Sequence, residues 1–140
     1  MRERVRWVRW VERARRGKMT KVPLDLAGRD LDVRDSRRWV SFDEARRSKV
    51  GTGFGIVLGD GLGCIDLDEC IVDGVLADWA QRWIDGYRED AVLIERSFSR
   101  RGVHIFLPLA EGPGRRIRNG VENVEIYSRG RYIAVTGDRL

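Results

Sequence analysis

"GFGIVLGDGLGCIDLDE", residues 53 to 69, holds two apolar runs joined by Gly59-Asp60-Gly61. Glycines on either side of an aspartate signal a turn, and the flanking runs predict a hairpin. In the second run, strand alternation sends Ile65 and Leu67 to one face and Cys64, Asp66 and Asp68 to the other. Two aspartates at i and i+2 then stand about 6.5 to 7 Å apart at Cα on one side of a sheet. Carboxylates so placed can converge on one divalent cation or bridge two. A plain surface turn has no need of Ile65 and Leu67 threaded between the acids. Asp68 and Glu69 also suit the start of a helix over the residues that follow.

Upstream, "MRERVRWVRWVERARR" sets Val5, Val8, Val11, Trp7 and Trp10 at spacings that predict an amphipathic helix, with Gly17 ending it. Residues 18 to 38, around Pro23, read as loop with a short strand. "SFDEARRS" carries Ser41 and, three residues on, Glu44, a capping box that predicts a short helix. Downstream, residues 73 to 86 place Val75, Leu76, Trp79, Trp83 and Ile84 on one helical face closing at Gly86. Four strand-like runs follow, "AVLIE", "GVHIFLP", "VENVEIY" and "RYIAVTG", separated by Gly, Pro and Arg-rich turns. The order predicts one α+β domain over residues 1 to 140, with a largely antiparallel sheet and flanking helices.

At 140 residues the chain is long enough to bury a core, and 42% apolar content with five tryptophans argues for a globular protein. No apolar run approaches the roughly 18 to 20 residues of a membrane span. The N-terminal stretch has neither an h-region nor a small-residue cleavage site, which points to the cytoplasm rather than export. Cys64 and Cys70 lack zinc spacing and the chain has one histidine, so buried thiols are expected, with a disulfide left open.

The net charge is +5, and apart from Lys18, Lys21 and Lys49 the cations are arginines. Arginine suits bidentate phosphate recognition, so nucleotide or nucleic acid is the natural partner. Coding in a GC-rich genome explains many of them equally well, and Arg13, Arg15 and Arg16 then merely solvate a helix.

The alternation around Asp66 recurs twice. In "GVHIFLP", Val103, Ile105 and Leu107 share one face, with His104 and Phe106 on the other. In "VENVEIY", Val124 and Ile126 alternate with Asn123, Glu125 and Tyr127. If the three strands are neighbours, Asp66, Asp68, His104 and Glu125 share one surface. Individually each has a plainer role: His104 as a hydrogen-bonded strand residue, Glu125 as partner to an arginine on the next strand.

"GCIDLDEC", "ERSFSRRGVHIF" and "VENVEIYSRGRYIAVTG" together resemble the three ordered motifs of archaeo-eukaryotic primases. The likeness is greatest to the bifunctional primase–polymerase (prim-pol) domains of phages, plasmids and mobile elements. Asp66 and Asp68 match the Asp-x-Asp of the first motif, Ser99 through His104 the second, and Glu125 the acid of the third. "SRRWVSFDEA" and the later "GRY…TG" extend the likeness over roughly residues 18 to 137.

The resemblance implies an RRM-like catalytic core and template-directed addition of NTPs or dNTPs to a primer 3′-hydroxyl. It implies that Asp66, Asp68 and Glu125 hold Mg²⁺ or Mn²⁺, ions suited to hard carboxylate oxygens. Ser99 and His104 would contact the incoming triphosphate, with Arg100, Arg101 and Arg131 neutralising charge and Lys21 approaching nucleotide or template. Relatives often carry glycine where this chain has Arg100. The partners implied are single-stranded or primed DNA and a helicase domain or protein. The sequence ends three residues after "VTG", where relatives continue into a helical segment, so a minimal catalytic fragment or compact stand-alone form is expected. The competing readings are a non-catalytic nucleic-acid-binding module and a metal-dependent nuclease.

Overall fold

The computed structural model describes residues 1–140. The protein is α+β, with mostly antiparallel sheets and few helices. The chain divides into two compact units, Met1–Val57 with Gly130–Val135, and Leu58–Arg129 with Thr136–Leu140.

The first unit is built on a four-stranded sheet. Its strands are β1 (Trp7–Arg15), β2 (Lys18–Leu24), β3 (Gly53–Val57) and β11 (Tyr132–Val135), in the order β11-β3-β1-β2, all antiparallel. The helix expected over residues 1 to 17 is therefore a strand. Trp7, Val8, Arg9 and Trp10 are all buried. A strand covered on both faces shows no alternation, and its tryptophans three apart mimic a helical stripe. The β-branched and aromatic content of the run favours a pleated neighbour-rich site. Gly17 closes a two-residue turn instead: Arg16 and Gly17 have φ of +52° and +78°, and Arg15 faces Lys18 across the hairpin. Positive φ at both central residues is the pattern that matches strand twist. The segment after the turn, expected as mostly loop, supplies seven residues of strand.

Helix α1 (Phe42–Arg47) begins at the capping box, with Ser41 and Glu44 side chains each accepting from the other's backbone N–H. Arg9, though buried, donates to the carbonyls of Val50 at 2.6 Å and Ala45 at 3.1 Å. It thereby satisfies acceptors near the end of α1, where helical carbonyls lack partners.

The second unit holds a five-stranded antiparallel sheet in the order β7-β8-β4-β10-β9. The strands are β4 (Leu62–Leu67), β7 (Leu93–Arg96), β8 (Val103–Pro108), β9 (Arg115–Arg118) and β10 (Asn123–Tyr127). Ile65, Leu67, Val103, Ile105, Leu107 and Val124 form an apolar layer with Trp79, Ala80 and Ile84 of α2 (Asp78–Tyr87).

The turn at Asp60-Gly61 forms as expected, with Gly59 and Leu62 exchanging backbone bonds of 3.0 and 3.1 Å. The hairpin beyond it does not. β3 pairs with β1 and β11, while β4 pairs with β8 and β10. Both runs are interior strands, and each satisfies its two edges with other partners. The helix expected from residue 73 starts at Asp78. Asp73-Gly74, with φ of +50° and +78°, turns the ribbon of β5 (Ile71–Val72) and β6 (Val75–Leu76), leaving Val75 exposed. Gly86 lies inside α2, which runs to Tyr87. Strand β9 falls where an Arg-rich turn was expected.

Candidate active site

Strand register assembles the site. Asp66 on β4 lies directly across from His104 on β8 and, on its other side, from Glu125 on β10. The row extends outward to Glu95 on β7 and Arg116 on β9. Five strands thus contribute five ionisable side chains to one line across the sheet. Asp68 follows just past the end of β4, its N–H donating to the Asn123 carbonyl at 2.9 Å. Since residues directly opposite share a face, the row occupies the side away from the α2 layer.

Oxygens of Asp66, Asp68 and Glu125 lie within 4.8 Å of one another, and all three residues are half-buried. Burial, and after it the negative charge of Glu125, push the Asp68 carboxyl above its ordinary value; His104 and Arg118 pull the other way. A carboxylate crowded by another is what a shared cation relieves. Glu125 already has company. Arg116 reaches its Oε1 at 2.9 Å, Arg118 approaches the same oxygen at 3.5 Å, and the Tyr127 hydroxyl donates to Oε2 at 3.1 Å. The plainer expectation for Glu125, an arginine on the next strand, is therefore met together with the carboxylate cluster.

His104 is held between two acids. Its Nδ1 lies 3.2 Å from Oε1 of Glu95, and its Nε2 lies 3.8 Å from Oδ1 of Asp66. Glu95 is wholly buried, and its carboxylate also accepts from the N–H groups of Thr136 and Gly137 at 2.8 to 3.1 Å. An acceptor so fixed selects the tautomer with hydrogen on Nδ1 and turns Nε2 toward the row. The sequence alone pointed to none of Glu95, Arg116 and Arg118, and to Tyr127 only as a residue on the same strand face as Glu125. The signal for Glu95 was an acid ending an apolar run, meaningful only once β7 is paired to β8.

Ser99, Arg100 and Arg101 sit exposed in the turn between β7 and β8. Ser99 Oγ accepts from the Arg101 N–H at 3.2 Å, and Arg101 pairs with Glu69 at 3.3 Å. Arg100 adopts φ of +65°, backbone that glycine would hold without strain. The turn is tied to the end of β4: a side chain at Gly102 would meet the Leu67 carbonyl at 2.8 Å, and the N–H of Cys70 donates to the Arg101 carbonyl at 2.8 Å. Lys21, on β2, and Arg131, just before β11, belong to the first unit rather than to the sheet that carries the row.

Cys64 and Cys70 are buried free thiols. Burial raises both, Cys70 to about 11 and Cys64 strongly, so neither offers a thiolate at neutral pH.

No known family model and no curated protein matches the chain. What the site can do is therefore read from its own chemistry. Three hard oxygen donors with no sulfur among them suit Mg²⁺ or Mn²⁺ and disfavour zinc. No helix of the protein is long and apolar enough to cross a membrane.

Proposed function

We propose that the protein is a nucleotidyltransferase of the prim-pol type, extending a primer 3′-hydroxyl on a DNA template. One observation carries this reading: Asp66 on β4, Asp68 just past its end and Glu125 on the adjacent β10 have carboxylate oxygens within 4.8 Å of one another, with His104 beside Asp66 in the same row. Those acids, in that order along the chain, are the ones the primase resemblance picks out, and the antiparallel sheet fits the RRM-like core it implies.

Asp66, Asp68 and Glu125 would hold Mg²⁺ or Mn²⁺, which when bound activates the 3′-hydroxyl and stabilises the leaving pyrophosphate. The remaining roles fall to side chains. Glu95 orients the imidazole so that Nε2 of His104 faces the incoming triphosphate, to which it donates once the ring carries a proton on both nitrogens. Arg100 and Arg101, carried on a braced turn, neutralise triphosphate charge, and Ser99 adds a hydroxyl there. Arg116 and Arg118 steady Glu125 and set the cost of displacing it.

The test is extension of a labelled primer with dNTPs and Mn²⁺, run beside Asp66→Ala/Asp68→Ala. Incorporation should fall to background in the double variant with the circular dichroism spectrum unchanged. Equal incorporation by both proteins overturns the reading. Absence of incorporation by the wild type with DNA binding retained favours the non-catalytic module, and metal-dependent shortening of the primer favours the nuclease.

A further inference from the structure

The outer half of the β1–β2 hairpin, Glu12 to Thr20, is exposed on both strands. Residues 12 to 21 hold Arg13, Arg15, Arg16, Lys18 and Lys21 against Glu12 alone, which is +4 of the chain's net +5. The protein is thus nearly neutral apart from one projecting ribbon.

Two choices in this ribbon run against local stability. Arg15 and Lys18 are direct cross-strand partners, and like charges so placed repel. Arg16 occupies a turn position at φ of +52°, where Asn, Asp or Gly is preferred. Nearby Asp30 grips Arg13 with two bonds of 2.9 Å and reaches Arg15 at 3.4 Å. The side chains of Arg16 and Lys18 have no ion-pair partner in the chain. Positive charge has been placed where folding alone would not put it.

We propose that this hairpin is an arm that grips the phosphate backbone of a nucleic acid through Arg15, Arg16 and Lys18. A polyanion of regular charge matches cations spread along an extended ribbon, and guanidinium groups bind phosphate bidentately. A lipid surface would be met by large apolar residues beside the cations, and the exposed pairs of the arm offer only Ala14 opposite Met19. The arm does not depend on the acidic row holding metal.

The experiment compares wild type with Arg15→Ser/Arg16→Asn/Lys18→Thr for binding to labelled oligothymidylate across a salt series, without divalent cations. The slope of log affinity against log salt should become shallower by about 2, close to 0.7 for each single-strand phosphate no longer neutralised. Affinity at low salt should fall at least about tenfold on the same counterion argument. The melting temperature should hold or rise, because a repulsive pair has gone. An unchanged slope and affinity, or a wild type that does not bind, overturns the arm. So does loss of binding to phosphatidylserine vesicles with DNA binding intact. Asp66→Asn separates the two readings: incorporation equal to that of the wild type, or none by the wild type itself, marks failure of the polymerase reading, while the salt slope still reports the arm.

Discussion

The two faces of the five-stranded sheet are made by alternate residues of the same strands, yet they obey different rules. Under α2, Ile65, Ile105 and Leu107 are interchangeable in kind: each is buried, and each contributes through area and fit. On the other face, Glu95, His104, Asp66 and Glu125 stand in register, and each depends on the identity of its neighbour. Apolar contact is non-directional, so one face tolerates swaps of equal volume. Hydrogen-bonded and charged groups leave a partner unsatisfied when altered, so the other does not.

That contrast is open to direct challenge. Ile105→Ala should cause the largest change in stability, about 2 to 5 kcal/mol, from lost burial and the cavity left beneath α2. Denaturant unfolding measures it, and a cost below that of an exposed site would erase the distinction between the faces. Glu95→Gln should be milder in stability and sharper in function. With a single imidazole in the chain, ¹⁵N shifts report its tautomer without ambiguity. The wild type should show hydrogen on Nδ1, and the variant a mixture. Nucleotide affinity should drop about 10- to 100-fold, as when a group orienting a functional imidazole is removed. An unchanged tautomer would reduce Glu95 to a purely structural anchor.

Asp68→Asn should give the smallest effect, and one of opposite sign. The folded protein raises this carboxyl above its ordinary value, so over the interval between the two the native state keeps a proton that the unfolded chain releases. Stability therefore falls as pH rises through that interval, and at neutral pH the ionised acid is a net cost. With EDTA present, the asparagine variant should melt slightly higher than wild type at neutral pH and show a flatter pH profile. Mn²⁺ should raise the wild type and leave the variant nearly unmoved. Identical profiles for the two proteins would mean that neither burial nor the charge of Glu125 raises the Asp68 carboxyl.

Much of the apolar/ionisable division was legible beforehand, because β4, β8 and β10 each alternate and alternation survives without knowledge of neighbours. The Ser41 capping box and the Asp60-Gly61 turn were legible for the same reason: their bonds close within a few residues. What failed was non-local. The first half of β1, Trp7 to Trp10, is buried on both faces, so Trp7 and Trp10 carried no period of two. β9 is an edge strand of Arg115, Arg116, Ile117 and Arg118, paired through its backbone and silent in hydropathy. Glu95 became meaningful only through a register no single segment specifies, and the parting of β3 from β4 was decided by which strands claimed their edges.

The bonds from Thr136 and Gly137 to Glu95 also bear on how the protein is made. Strands β7 and β8 lie some thirty to forty residues ahead of that pair and leave the ribosome first. Until residues 136 and 137 arrive, the Glu95 carboxylate has no backbone donors from them, and burying it then is costly. Vectorial synthesis thus delays the polar row: the apolar layer under α2 can assemble on the nascent chain, while the histidine is locked in place only once the last strand has been translated.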